Sequence, residues 1–504
     1  MVEEHFGKIE ADKILRLIRE KKSAYWSRVR EETALRLFRA ASARVPAYKD
    51  FLKKNKVNPA KIKTFADFER VPETSKANYL RQYPLEKLVW DGNMRARMVF
   101  AVTSGSTGVP TYFPRDEFLD NASSVMHEMF FRNNPSNLGK STLVVVGFGM
   151  GEWVGGLITV RAFQKMADRG YPIALHTPGS NKKMILEGIK RIAGSFDQVV
   201  LCGYPPFLKD VIDEGESEGI RWKKLNLKIV FAAEAFSETF RDYIAKKAGI
   251  GNIYTDMMNI YGTADLGTTA EETPLSIFAR RMAVRNGELY EDLFEHAHRL
   301  PTLAQFNPLF TNFEVTSKEE ILCTGNSTVP LIRYAVGDHG GVKSFKEVVG
   351  LLAARGIRIK REAKELGFTH TLAELPFVYV YERSDLSTKL YGAIIYPEHV
   401  REGIAHPSVE GSVTGKFTML TQNDKKHNEY LELHVELKPK VGPSQALHKR
   451  VYDLVVEKLL KHNAEYKYLF GLMPDRIKPK IVFWDHEHPR YFKPGGKQKW
   501  VEKG

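Results

Sequence analysis

The sequence predicts an α/β protein with a large N-terminal α/β domain and a small C-terminal α+β domain. Three observations carry this expectation. The chain has 504 residues, more than one hydrophobic core usually supports. From Met98 onward, short apolar runs alternate with helix-like segments, the pattern of buried strands in an α/β sheet. Near Glu382–Asp385 the character changes to strands followed by one long helix and a loop-rich basic end. The expected domains are therefore 1–382 and 383–504, with a helical part over 1–90.

The elements follow in order. Ala34, Leu37, Phe38 and Ala41 recur at helical spacing within the first ninety residues. Strands are expected at Thr142–Gly147, Gln198–Cys202 and Leu227–Ala232, with helices near Met184–Ile192 and Phe207–Glu214 between them. Beyond the change in character, strands are expected at Gly392–Tyr396, Lys416–Thr421 and Leu431–Leu437, then a helix over Ala446–Leu460. No internal repeat or low-complexity tract interrupts this order.

Composition narrows the function classes. The net charge of +14 attracts anions, including nucleic acid and phosphorylated small molecules. Lys and Arg are spread along the chain without a zinc-finger or aromatic RNA-binding signature, which argues against a nucleic-acid binder. No run of eighteen or more apolar residues predicts a transmembrane helix. The charged start, MVEEHFGKIEADKILRLIREKK, does not read as a signal peptide. Cys202 and Cys323 are the two cysteines, which suggests neither a disulfide framework nor a zinc site and fits a reducing cytoplasm. His127, His176, His486 and His488 lack the spacing of a metal site or a nucleophilic triad.

The segment with the clearest chemistry is Thr103-Ser104-Gly105-Ser106-Thr107-Gly108-Val109-Pro110-Thr111. Its glycines let backbone N–H groups converge on an anion, and its hydroxyls add donors. A Gly-Lys-Ser/Thr phosphate loop is excluded, because no lysine follows Gly108. The same residues also suit an ordinary turn.

This segment resembles the phosphate-binding loop of the acyl-adenylate-forming superfamily. Thr111, in place of the lysine common there, resembles the phenylacetate–CoA ligase branch. Further segments match in the same order. They are Val45-Pro46-Ala47-Tyr48 with Phe65–Pro72, then Ala233-Glu234-Ala235-Phe236-Ser237-Glu238, then Asn259-Ile260-Tyr261-Gly262-Thr263-Ala264-Asp265. Pro330-Leu331-Ile332-Arg333-Tyr334-Ala335-Val336-Gly337-Asp338 follows. Glu382-Arg383-Ser384-Asp385 resembles the hinge, and Gly496-Lys497-Gln498-Lys499 the C-terminal lysine loop.

The resemblance implies an AMP-forming acid–CoA ligase that uses ATP, Mg²⁺ and CoA and activates a carboxylic acid, expected to be aromatic. Joining two anions requires neutralisation and alignment. By resemblance, Ser104, Gly105, Ser106, Thr107 and Gly108 cradle the phosphates, and Asp265 with Thr107 holds Mg²⁺. Tyr261 stacks on the adenine, Asn259 reads its amino edge, Glu234 and Gly262 line the same site, and Asp338 accepts from the ribose hydroxyls. The resemblance further implies Lys497 as the mobile catalytic lysine, with Lys493 and Lys499 as rivals close in sequence, Arg383 reaching ribose or phosphates, and Asp385 as the pivot of a mobile C-terminal lid. Trp153, Gly155 and Tyr204 are expected in the acyl pocket. The expected partners are small molecules, not nucleic acid or membrane, and the assembly a monomer or homodimer. Each residue type also has a plain structural use: turn or cap aspartates, core aromatics, a solvated basic tail.

Several positions depart from the pattern. Ala264 stands where Ser or Thr is usual, and Asp265 is one methylene shorter than glutamate. Leu266–Thr273 contains no Cys or His, so no structural zinc is expected. Residues 339–380 form a longer spacer than the family pattern, with a helix expected near Phe345–Ala354. Two alternatives remain: transfer of the acyl group to an amine or a carrier protein, or a catalytically impaired nucleotide-binding homologue.

Overall fold

A computed structural model describes residues 10–95, 98–102, 111–150, 154–295, 301–381, 388–390, 393–423, 429–463, 466–467, 470–471, 474–494 and 498–503. The large unit opens with helices Ala11–Glu20, Ser23–Arg44 and Pro46–Lys54. Pro46 sits at the first turn of its helix, where its missing N–H costs nothing. Leu37, Phe38, Ala41, Tyr48 and Phe68 from this region are buried in the same core as β-sheet residues. The helical N-terminal part is therefore built onto the sheet.

A hairpin of β1 (Val99–Val102) and β2 (Tyr112–Arg115) flanks the predicted phosphate loop. The main sheet then collects β3 (Thr142–Val146), β4 (Ile173–His176), β5 (Gln198–Gly203), β6 (Leu227–Ala232), β7 (Met257–Thr263) and β8 (Gly267–Glu271). It continues with β9 (Thr302–Gln305), β10 (Thr311–Val315), β11 (Glu320–Gly325), β12 (Leu331–Lys343) and β13 (Phe377–Tyr381). Their order is β10-β11-β12-β13-β9-β8-β7-β6-β5-β3-β4. From β4 to β7 every neighbour is parallel. From β7 to β10 every neighbour is antiparallel. The parallel strands β3, β5 and β6 are mostly apolar and almost wholly buried, as helix-covered strands tend to be; β4, at the sheet edge, is only partly buried. The chain reverses direction across the sheet between β3 and β5, and ligands of such sheets bind at that switch point, beyond the strands' carboxyl ends.

The 339–380 spacer belongs to the large unit. It completes β12, forms helices Phe345–Ala353 and Ile359–Glu365, and supplies β13 in the middle of the sheet. Val348, Leu352, Ala363 and Phe368 pack with Leu275, Phe278 and Leu289 in a core of their own. The first helix is started by a capping box at its N-terminus, in which Ser344 and Glu347 exchange hydrogen bonds.

The small unit has a separate core, formed wholly by residues between Leu390 and Val501. Its strands are β14 (Thr388–Leu390), β15 (Ala393–Ile395), β16 (Val413–Asn423), β17 (Glu429–Leu437), β18 (Lys480–Trp484) and β19 (Val501–Lys503). The order β18-β17-β16-β19 forms a four-stranded sheet, covered by helix Gln445–His462 through Val451, Val455 and Leu459. The expected strands and helices appear with ends within three residues of the expected ones: most are longer, Leu227–Ala232 is unchanged, and Thr142–Val146, Ala393–Ile395 and Phe345–Ala353 are shorter by one residue at one or both ends. Among the described residues, no helix is long and apolar enough to cross a membrane.

Candidate nucleotide and acyl site

Among the predicted residues that fall within the described structure, direct contacts join Asn259 to Glu234 and Tyr261 to Asp338. Asn259 and Tyr261 lie on β7, Gly262 follows, and Glu234 sits two residues past β6. Asp338 is on β12, three strands away from β8 across the antiparallel half. The Tyr261 hydroxyl nevertheless donates to Asp338 Oδ2 at 2.8 Å. The Tyr261 ring is half-buried and faces Phe313 at 6.1 Å. Gly337 precedes Asp338 with φ +83°, a backbone conformation that glycine adopts without strain. At Gly262 the reason for glycine is space: a Cβ would lie 2.8 Å from the Gly267 carbonyl of the neighbouring strand.

Asn259 is 2% exposed, and its amide Nδ2 donates to the Glu234 carbonyl at 3.0 Å. This bond ties β7 to the segment after β6. It also assigns the amide orientation, so Oδ1 is the atom left as an acceptor. Oδ1 is buried and has no hydrogen-bond partner among the described residues. A buried carbonyl oxygen without a donor costs about 1–3 kcal/mol, which a bound donor would offset.

A buried charge cluster holds both segments. The Asn259 N–H donates to Glu272 Oε2 at 2.9 Å. Glu272 also accepts from Arg241 Nη2 at 2.8 and 2.9 Å. Arg280 bridges Glu238, at 2.8 Å, and the Phe236 carbonyl. Each buried charge thus has an opposite partner, which buried ions require.

Asp265 is 6% exposed, and the Lys76 ammonium lies 3.7 Å from its Oδ1. Lys76 also lies over the Phe113 ring, 5.9 Å from the centroid, next to the predicted phosphate loop. Sequence reasoning did not single out Lys76. Its placement depends on a long-range bridge: Thr74 pairs with Tyr334, with Thr74 N–H donating to the Arg333 carbonyl at 3.0 Å and Ala335 N–H to the Thr74 carbonyl at 2.8 Å. Arg333 donates to Glu314 at 2.9 Å and to the Val71 carbonyl. The Pro330–Asp338 segment therefore holds the chain before Lys76 as well as Asp338. The hint in the sequence was adjacency, since Lys76 follows the Phe65–Pro72 segment closely.

Burial pushes the Cys323 thiol well up, and the charges of Asp338 and Asp265 push it further. Cys202 is likewise raised by burial. Both are buried free thiols.

At the switch point, Phe148 beyond β3 meets Tyr204 beyond β5 edge to face, with centroids 5.2 Å apart. Burial raises the Tyr204 hydroxyl pKa, a bond from the Gly149 backbone lowers it, and the Glu234 charge raises it again. Gly155 opens helix Val154–Asp168 against this pair; a Cβ on it would lie 3.7 Å from the Phe148 side chain. Phe148 and Tyr204 pack in the hydrophobic cluster that covers β3 and β5. A separate cleft of about 750 Å³ between helix Lys182–Ile192 and residues 487–494 includes none of these residues.

Ser104, Gly105, Ser106, Thr107, Gly108, Trp153, Arg383, Asp385 and Lys497 lie outside the described residues. The flanking chain is described: Gln498 Nε2 donates to the Phe417 carbonyl at 3.0 Å, and Met419 N–H to the Trp500 carbonyl at 2.7 Å. Among the described residues no three His, Cys, Asp or Glu side chains converge as a metal cage. That is compatible with Mg²⁺, which is often held by one or two carboxylates together with substrate phosphates, and Asp265 offers such a carboxylate.

The fold is the one seen in adenylate-forming ligases. A structure of 2-hydroxyisobutyryl-CoA ligase in the postadenylation state, in complex with R3-HIB-AMP, is similar over 97% of this chain and 92% of that chain, with a TM-score of 0.66 and 15% identity. In sequence, the chain is similar to phenylacetate–coenzyme A ligases. The one from Aromatoleum evansii is 26% identical over 232 residues, 45% of this chain and 48% of the relative. The one from Thermus thermophilus is 23% identical over 240 residues, 47% and 50% respectively. The chain spans about half the length of the curated relatives it matches. No family model matches it.

Proposed function

We propose that this protein activates a carboxylic acid, of aromatic class, with ATP and passes the acyl group to CoA. The observation that carries the nucleotide assignment is Asn259: its Nδ2 is committed to the Glu234 carbonyl, and its buried Oδ1 has no donor among the described residues. The exocyclic amine of adenine is such a donor. Tyr261 and Asp338, already joined, stand beside it, an aromatic face for the base and a carboxylate for ribose hydroxyls. Similarity to phenylacetate–coenzyme A ligases supports the acid class.

In the first step a carboxylate oxygen bonds to the α-phosphorus, and the bond to the β-phosphate breaks, releasing pyrophosphate. The chain's part is to align and neutralise. Ser104–Gly108 receive the phosphates, and Lys76 supplies a cation at that end, where Thr111 provides none. Lys497 brings its ammonium to the carboxylate and α-phosphate oxygens, a task suited to a compact charge on a flexible stem. Arg383 contacts ribose or phosphates. Asp265 and Thr107 would hold Mg²⁺, which offsets negative charge on the phosphates. In the second step the CoA thiol, losing its proton, attacks the acyl carbon, and AMP leaves. Residues 383–504 form the lid that turns about Asp385 between the steps. The two buried free thiols fit a reducing cytoplasm.

The test is pyrophosphate release with ATP, Mg²⁺ and a panel of aryl, short-chain and long-chain acids, each with and without CoA. Acid-dependent release with thioester formation is expected for aryl acids. Measurable ATP binding without release for any acid would defeat the proposal.

A further inference from the structure

The backbone of Asn259 is gripped on both its polar groups by one residue. Glu272, which follows β8 directly, accepts the Asn259 N–H on Oε2 at 2.9 Å. Its own N–H donates to the Asn259 carbonyl at 2.8 Å. The Glu272 carboxylate is fully buried and is fixed in turn by Arg241 Nη2, at 2.8 and 2.9 Å. Arg241 stands on helix Glu238–Ala248, and its Nε donates to Glu238 Oε2 at 2.9 Å. Arg280, on helix Pro274–Arg285, donates to Glu238 Oε1 at 2.8 Å and to the Phe236 carbonyl. The Asn259 side chain donates to the Glu234 carbonyl. The contacts therefore close a ring that runs from Asn259 through Glu272, Arg241, Glu238 and Arg280 to the Glu234–Phe236 segment and back to Asn259.

This ring joins the two segments that aim the Asn259 acceptor. Ala233, next to Glu234, has φ +74°, a left-handed conformation that a non-glycine residue keeps where surrounding contacts impose it. Burial alone would lower the Arg241 pKa, but the charges of Glu238 and Glu272 outweigh it and hold it above the ordinary arginine value. Burial alone would raise the Glu238 pKa, but the charges of Arg241 and Arg280 hold it below the ordinary carboxylate value. Removing one member would leave an uncompensated buried charge, so the ring holds as a unit. Arginine suits the Arg241 position because its rigid fork serves two carboxylates at once, which a lysine ammonium on a flexible stem does not match.

We infer that Arg241 and Glu272 are positioning residues for base selection: through the ring they hold Asn259 Oδ1 where it accepts the exocyclic amine of adenine and opposes the carbonyl oxygen that guanine carries there. The inference rests on the nucleotide assignment proposed above and extends it from one amide to the buried charges that aim it.

The test measures equilibrium binding of ATP, GTP and inorganic tripolyphosphate to the full chain with Mg²⁺, in the absence of acid and CoA. The proteins are the wild type, Glu272→Gln, Arg241→Lys, Arg241→Met, Asn259→Ala, and Asn259→Ala combined with Glu272→Gln or Arg241→Met. The wild type should bind ATP more tightly than GTP. Glu272→Gln and Arg241→Met should weaken ATP binding about tenfold, the scale of one well-placed hydrogen bond, and leave GTP and tripolyphosphate nearly unchanged. Arg241→Lys should lose less than Arg241→Met. On top of Asn259→Ala the same substitutions should cost nothing further, because they act through Asn259. An unchanged ATP-to-GTP ratio, equal weakening of all three ligands (the mark of a merely structural role), or losses that add in the double variants would overturn the inference. If Arg241→Met does not fold, Glu272→Gln, which keeps the shape and one acceptor oxygen, decides by the same ratios. A wild type that binds ATP no more tightly than GTP defeats the nucleotide assignment itself, a result read without any variant.

Discussion

The Tyr261 hydroxyl and Asp338 Oδ2 meet at 2.8 Å although 77 positions separate them in the chain. One carboxylate oxygen is thereby held in a set direction before any ligand arrives. Tyr261→Phe keeps the ring and removes this bond. It should raise KM for ATP about fivefold, the effect of one hydrogen bond of ~1 kcal/mol, with kcat changed less. Initial-rate kinetics at varied ATP would check this, and an unchanged KM would remove Asp338 from the ribose assignment.

Lys76 lies 3.7 Å from Asp265 Oδ1 and beside Phe113. Lys76→Met should lower acid-dependent pyrophosphate release about 100- to 1,000-fold, the scale of losing one preorganised electrostatic group at the reacting centre. Lys76→Arg should retain more activity than Lys76→Met. Full release in Lys76→Met would show that the lysine only neutralises Asp265.

Asn259 presents a fixed acceptor because its amide is engaged by Glu234. Adenine carries a donor where guanine carries an acceptor. Asn259→Ala should raise KM for ATP about tenfold, the cost of roughly 1–2 kcal/mol of hydrogen bonding, and reduce discrimination against GTP. Parallel kinetics with both nucleotides measure this. A variant that still rejects GTP as the wild type does would place base recognition elsewhere.

His127 is fully buried, its Nδ1 donating to the Ser123 carbonyl at 2.8 Å. Burial pushes its pKa down from 6.5 to about 4. The unfolded chain therefore binds the proton more readily than the folded one. The stability linked to His127 is fully present above pH 6.5 and is lost as pH falls toward 4, by about 3 kcal/mol over that window. Denaturant unfolding at neutral pH and near about pH 5 should show a smaller acid loss in His127→Gln than in the wild type. Equal losses would mean that other groups set the acid limit.

Much of this molecule was open to sequence reasoning. β3, β5 and β6 appear where apolar runs of strand length stood between helix-like segments, because parallel strands buried on both faces tend to be continuously apolar. The helix Gln445–His462 and the strands around it were equally plain. The antiparallel half was not: β8 to β12 mix polar and apolar residues, and β13 inserts beside β9, far from it in the chain. In the site, Asn259, Tyr261 and Asp338 were found as residue types in ordered segments. Their contacts were beyond the sequence. Lys76 reaches Asp265 only through the Thr74–Tyr334 bridge, and Lys416 meets Asp210 only because two separate cores pack together. By itself the sequence determined which apolar runs become the parallel strands, which segments become the main helices, and which ordered segments carry candidate functional residues, since burial periodicity and side-chain type are local properties. The tertiary structure alone decided which charges neutralise one another, because electrostatic and hydrogen-bond energies depend on distances that chain separation does not encode.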